Sequence, residues 1–94
     1  MSEDVIESSG NVFVDLGFPP DEASILQMRA DLMADLRKFV ETRGLSPAKV
    51  VEMLSVGETV ALDLMGGKWE EFSLEMLITL AVRAGLRVTL KTAA

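Results

Sequence analysis

The stretch GLSPAKVVEMLSVGETVALDLMGGKWEEFSLEML, residues 44–77, decides the fold of this 94-residue chain. Ser46 is a favoured helix N-cap and Pro47 is tolerated in the first turn, so a helix is predicted to begin there. Residues 55–57 form a tight turn, and a second short helix is predicted over about residues 58–65. The stretch therefore opens with two short helices joined by a tight turn.

A glycine pair at residues 66–67 stops the second helix and separates it from a third. Ser73 provides an N-cap for that third helix, and Phe72 is placed to pack on Leu77 as a hydrophobic staple. Gly85 suits the left-handed position just past the helix end. The stretch is therefore predicted to form three helices around a small helical core.

A longer helix is predicted upstream, from Asp21 as its N-cap to Arg43, with Gly44 just past its end. Its apolar residues recur at steps of three and four, which places them on one stripe that should face the core. The members of this stripe are Ile25, Met28, Leu32, Leu36, Phe39 and Val40.

Both ends of the domain carry strand-like patterns. Residues 11–16 (NVFVDL) are apolar and β-prone, and residues 86–91 (LRVTLK) alternate apolar and polar side chains, which predicts a strand buried on one face. A strand needs a partner for its backbone groups. The partner is either the 12–16 segment of the same chain or the same strand of a second copy. We favour the second, a homodimer joined through Leu86, Val88 and Leu90.

The remaining composition bounds the domain and its location. Residues 1–10 are charged, small and without periodicity, which predicts a disordered tail and leaves residues 11–94 as a single domain. No apolar run reaches the roughly 20 residues of a membrane span. The N-terminus lacks the basic and apolar segments of a signal peptide. A cytoplasmic protein without membrane contacts is predicted.

The side-chain inventory argues against an enzyme. The sequence has no Cys, His or Tyr, so the most common metal ligand and several catalytic groups are missing. Asp31 with Asp35 and Glu71 with Glu75 have helical spacing, but such pairs on exposed helices are usually plain surface. We predict no catalysis, no metal and no cofactor.

The order of these elements resembles the helix-turn-helix proteins of the XRE/Cro type, and more narrowly the HigA-like antitoxins. The matching segments, within residues 11–91, are NVF at 11–13, DLGF at 15–18, EA at 22–23, GLS at 44–46, DL at 63–64, GK at 67–68, FSLEMLI at 72–78 and GLRV at 85–88. The resemblance implies an all-α, lambda-repressor-like bundle of four to five helices with a short C-terminal β-strand. It also implies a DNA-binding transcriptional regulator that binds its own operator, and often an antitoxin that neutralises a co-encoded toxin.

The sequence departs from that family where the family contacts DNA. The family's Gln at the start of the first motif helix is Pro47, its turn glycine is Ser55, and its polar recognition segment is GETVAL at residues 57–62. Gln and Arg are the side chains that geometry favours for reading adenine and guanine. Between Ser46 and Trp69, two lysines and three acidic residues leave a net charge of −1, in a chain of net charge −6. Phosphate contacts favour the opposite sign.

Two functions therefore remain open, with DNA binding slightly ahead because the resemblance covers most of the chain. In the second, the motif has lost DNA readout and binds a protein partner, a toxin or a regulator, through an exposed apolar patch. Val60 and Leu62 are expected to face outward, opposite Ala61, Leu64 and Met65. The alternative is a rotated helix that buries Val60 and Leu62. The residues predicted to face DNA are Ser46, Pro47, Lys49, Glu58, Thr59, Leu62, Asp63 and Lys68. The residues of the alternative protein interface are Val60, Leu62, Met65 and Trp69.

Overall fold

The computed structural model describes residues 11–89, and within that range it contains helices and no strands. The predicted all-α bundle is confirmed. No helix in this part of the chain is long and apolar enough to cross a membrane. The helices are α1 (Val12–Asp15), α2 (Pro20–Arg43), α3 (Pro47–Leu54), α4 (Glu58–Met65) and α5 (Leu74–Arg83), and a 3-10 turn at Trp69–Glu71 precedes α5.

The long helix α2 begins two residues earlier than the sequence predicts. Its N-cap is Pro19, which makes no side-chain capping bond, so the prediction of Asp21 as N-cap is wrong. Pro20 has the fixed φ that suits the first helical position. Asp21 instead lies in the first turn, where the positive end of the helix dipole stabilises its carboxylate. The predicted end is confirmed, since Gly44 has φ 60° just after Arg43.

The apolar stripe of α2 is only partly buried. Leu36 and Val40 lie in the core, whereas Ile25 is 49% exposed. At this end of α2 the buried residue is Ala23, two positions before Ile25. Residues two apart on a helix point to nearly opposite sides, so Ile25 faces away from the core.

The helices α3 and α4 have the bounds that the sequence predicts. The Ser46 hydroxyl accepts a hydrogen bond from the Lys49 amide at 3.2 Å, which confirms the predicted cap. Ser55 closes α3 in the left-handed conformation, with φ 56° and ψ 51°. A residue with a Cβ pays about 1 kcal/mol for that conformation.

The helix α5 is capped at both ends as expected. The Ser73 hydroxyl accepts from the Met76 amide at 3.1 Å. At the other end Gly85 has φ +84°, and the Leu86 amide donates to the Ala81 carbonyl at 2.9 Å. This bonding pattern is a Schellman motif, which satisfies carbonyls that the helix leaves free.

One hydrophobic core joins α2, α3, α4 and α5. Phe72 is its largest fully buried side chain, and Leu77, its predicted staple partner, is buried in the same core. The buried members of this core are Met33, Leu36, Val40, Val50, Leu54, Ala61, Leu64, Phe72, Leu77, Leu80 and Ala81. Because α3 and α4 each contribute two of these residues, their relative position is fixed from the inside.

The N-terminal segment is a helix, so the strand predicted for residues 11–16 is wrong. The Asn11 side chain caps α1 by accepting from the Phe13 and Val14 amides at 2.9 and 3.4 Å. The side-chain Nδ2 of Asn11 also donates a hydrogen bond to the Ala23 carbonyl at 3.0 Å, which attaches α1 to α2. This local capping outweighs β-propensity, and it removes the predicted strand partner within the chain.

Residues 86–89, the start of the predicted C-terminal strand, have no regular secondary structure. Their burial nevertheless alternates as predicted, with Leu86 and Val88 half-buried and Arg87 and Thr89 exposed. Leu90 and Lys91, the rest of the predicted strand, lie outside the described residues, as does the predicted tail at residues 1–10. Pairing with a second copy therefore stays a prediction.

Candidate nucleic-acid interface

All eight residues predicted to face DNA lie on one continuous part of the chain, from the N-cap of α3 to the loop after α4. Asp63 is half-buried, and the other seven are exposed. The exposed members are Ser46, Pro47, Lys49, Glu58, Thr59, Leu62 and Lys68. We call this set, together with Asp63, the motif surface.

The two sides of α4 differ sharply in burial. Ala61 and Leu64 are completely buried, whereas Leu62 is 52% exposed. Val60 does not face outward as predicted, because it is half-buried and packs against the core. A helix with two buried positions on one side must turn residues such as Leu62 to solvent.

The alternative apolar patch is therefore dispersed. Met65, like Val60, is half-buried against the core. Trp69 is also half-buried, with its ring 5.5 Å from the Phe13 ring and 5.3 Å from the Arg29 guanidinium carbon. Of the four residues predicted for a protein interface, Leu62 is the one that is largely exposed.

The two lysines of the motif surface each have an acidic neighbour. The Lys49 ammonium lies 3.2 Å from the Glu52 carboxylate, and the Lys68 ammonium lies 3.7 Å from the Asp63 carboxylate. Such exposed pairs contribute about 0–1 kcal/mol each, so either lysine can exchange its carboxylate for another anion at little cost. Glu58, in the first turn of α4, lies where the helix dipole favours a negative charge.

Arg83 binds the end of α3 from α5, a role that the sequence pattern did not suggest. Its guanidinium on α5 donates to the Leu54 carbonyl at 2.9 Å and to the Ser55 carbonyl at 3.4 Å. These are carbonyls at the end of α3, where the helix itself provides no partner. The bond joins residues nearly thirty positions apart, so no local motif could have indicated it.

Arg37 lies against the loop that follows α4. Gly67 has φ +72°, and a Cβ at this position would stand 3.1 Å from both the Cδ and Nη1 atoms of Arg37. Arg37 also approaches Glu41 at 3.6 Å on the exposed side of α2. The Arg37 side chain thus lies beside Gly67, the residue before Lys68. The sequence did not indicate this cation, because Arg37 belongs to α2, about thirty residues earlier in the chain.

The helix-turn-helix domain family matches residues 12–93, and the chain belongs to this family. No curated protein and no solved structure matches the chain. The family confirms the predicted helix-turn-helix fold and suggests a DNA-binding regulator. Within residues 11–89, no group of three or more acidic side chains is arranged to hold a metal ion.

Proposed function

We propose that this protein is a transcriptional regulator of the XRE/HigA-like type that binds operator DNA with α4 as its recognition helix. The observation that carries the proposal is the outer side of α4, where Glu58, Thr59 and Leu62 are exposed. The core holds the opposite side through Ala61 and Leu64. A rigid short helix with a free outer side, packed across a second helix, is the geometry that enters a major groove.

Phosphate contacts would come from both ends of the motif surface. The α3 helix begins at Pro47, with Ser46 as its N-cap, and a helix N-terminus favours an anion. Lys49 lies in the same turn, and Lys68 lies in the loop after α4. Both lysines now approach carboxylates, and we propose that DNA phosphates replace these partners on binding.

Base contacts would be few and would differ from the Gln and Arg pairs common in DNA readers. The Glu58 carboxylate is able to accept a hydrogen bond from a cytosine amino group. The methyl groups of Thr59 or Leu62 are able to contact a thymine methyl group. Asp63 would remain a partner of Lys68 at the edge of the groove. This set favours an operator read mainly through shape and apolar contacts.

We further propose a homodimer joined by the C-terminal segment, with Leu86, Val88 and Leu90 at its centre. Within the described range, the backbone amides of residues 87–89 donate to no other backbone carbonyl. A second copy of the same strand would satisfy them. The proposed antitoxin role and co-encoded toxin rest on the resemblance, and a regulator of its own operator would act in the cytoplasm.

The test is binding to a labelled fragment of the protein's own promoter, compared with random DNA, across salt from low to physiological. We expect specific binding whose affinity falls steeply with salt, because bound phosphates release counterions. In the variant Lys49→Ala/Lys68→Ala, the slope should decrease by about 2, since each lost phosphate contact removes roughly 0.9. Lys38→Ala is the matched control, because Lys38 is an exposed lysine on α2, outside the motif surface, and its loss should leave the slope unchanged.

Two results would count against this assignment. An unchanged affinity and slope in the double lysine variant would remove Lys49 and Lys68 from the interface. The absence of specific binding at low salt, from protein with a normal helical spectrum, would reject DNA binding by this surface.

The exposed Leu62 favours a second candidate, in which the motif surface binds a protein instead of DNA. Truncating or charging a central apolar anchor removes much of the affinity of a protein interface. We expect Leu62→Glu to abolish capture of the neighbouring gene's product while leaving the melting curve unchanged. Val82→Glu is the control, because Val82 is also exposed, at 60%, but lies on α5. Normal capture by Leu62→Glu would eliminate this candidate.

A further inference from the structure

The negative charge of the chain is concentrated at its N-terminal end. Residues 29–94 contain nine basic and nine acidic residues, so they carry no net charge. No Lys or Arg precedes Arg29, and the net charge of −6 therefore comes entirely from residues 1–28. The acidic residues of this part are Glu3, Asp4, Glu7, Asp15, Asp21 and Glu22.

The same end of the chain exposes a cluster of large apolar side chains. No residue of α1 is buried, and four large apolar residues between positions 12 and 18 are exposed. Their exposed fractions are 52% for Val12, 47% for Val14, 69% for Leu16 and 38% for Phe18. Val12 and Leu16 are four positions apart and therefore share one side of α1, whereas Val14 is two positions from each and points away from that side. We call Val12, Leu16 and Phe18, with Asp15, Asp21 and Glu22, the N-terminal face.

The N-terminal face is held in place despite its exposure. Asn11 caps α1 and bonds the Ala23 carbonyl, and the Phe13 ring meets the rings of Phe18 and Trp69 edge-on at 6.0 and 5.5 Å. A surface that is already ordered loses less conformational entropy on binding. Several large apolar side chains exposed within seven residues of a small protein indicate an interaction site.

Arg29, the nearest cation in the sequence, does not neutralise this face. Its guanidinium donates to the Phe72 carbonyl at 2.9 Å and to the Glu70 carbonyl at 3.1 Å, and it stacks over the Trp69 ring. These contacts direct its charge toward the loop before α5. Within the described residues 11–89, the carboxylates of the N-terminal face form no ion pair.

We propose that the N-terminal face binds a protein partner whose contact surface has an apolar centre and a rim of lysine or arginine. The apolar residues supply the desolvated centre, and the carboxylates supply complementary charge, which raises association rate and excludes partners of like charge. A second copy would bring two N-terminal ends of charge −6 together. DNA carries the same sign and is repelled as well. This interaction goes beyond the DNA-binding proposal and uses none of the motif surface.

The test uses the full chain and a labelled helical peptide of about 18 residues, with leucines on one side and lysines flanking them. Its binding, followed by fluorescence anisotropy, should be at least about tenfold tighter than that of the same peptide with glutamates in place of lysines. The variant Val12→Ser/Leu16→Ser should weaken binding at least about tenfold, because it removes the apolar centre. The matched control is Ile25→Ser/Val82→Ser, which changes two comparably exposed apolar residues outside both surfaces and should bind normally.

Three outcomes would overturn the proposal. These are equal binding of the lysine and glutamate peptides, equal losses in the two double variants, and self-association of the protein that Val12→Ser/Leu16→Ser abolishes. The first two would indicate no defined site, and the third would assign the face to a second copy. All four substituted residues are exposed, so helical spectra should match the parent and a folding defect does not interfere. The peptide result is independent of whether the motif surface binds DNA.

Discussion

The motif surface and the N-terminal face are built in opposite ways. On the motif surface both lysines approach carboxylates, and α3 and α4 each bury two residues in the core. On the N-terminal face the charged side chains are all acidic, the large apolar side chains are exposed, and α1 buries no residue. The motif helices α3 and α4 are therefore fixed by the core, whereas α1 is attached to a core to which it contributes no buried residue. Residues of the N-terminal face should therefore matter for binding more than for stability.

The largest expected difference between the two regions comes from truncating one leucine in each. Leu54 in α3 is 1% exposed, and Leu54→Ala should lower the free energy of unfolding by about 2–5 kcal/mol through lost burial and a cavity. Leu16 is 69% exposed, and Leu16→Ala should change it by less than about 0.5 kcal/mol. Urea denaturation followed by circular dichroism measures both. Similar losses in the two variants would mean that α1 unfolds together with the core and contributes to its stability.

A smaller effect tests the turn between α3 and α4. Ser55 has φ 56°, where a glycine carries no Cβ penalty, so Ser55→Gly should stabilise the protein. The greater freedom of glycine in the unfolded chain offsets part of this gain, leaving about 0.5 kcal/mol. Ser46→Gly is the control, because Ser46 has φ −78° and loses its capping hydroxyl, at a cost of a few tenths of a kcal/mol. A loss of stability in Ser55→Gly would show that the serine side chain has a compensating contact.

The parts of the fold that the sequence predicted correctly are those fixed by local chemistry. Ser46, Ser73 and the glycines after α2 and α5 define helix ends through bonds within a few residues. The bounds of α4 followed from its neighbours on both sides, and the exposure of Leu62 followed from helical periodicity. These signals act over one or two turns, so they are legible without the rest of the molecule.

The parts that the sequence did not predict depend on distant partners. The 11–16 segment is helical because Asn11 caps it and Phe13 reaches Trp69, a contact across more than fifty residues. Val60 turned out to be half-buried because the core reaches further around α4 than periodicity alone indicates. The roles of Arg37 and Arg83 likewise arise from helices that meet only after folding. Within the motif surface, the choice of DNA or protein as partner depends on molecules that the chain does not contain.

The bonds of Arg29 also have a consequence for the order of folding. The turn between α3 and α4 is short, so these helices can meet by closing a small loop, which is fast. The bond from Arg29 to the Phe72 carbonyl joins residues 43 positions apart, and closing that loop costs more chain entropy. We expect the hairpin of α3 and α4 to assemble before α2 captures the loop leading into α5. The hydrogen bonds of Arg29 then form late in folding, after the transition state. They should therefore slow unfolding more than they speed folding.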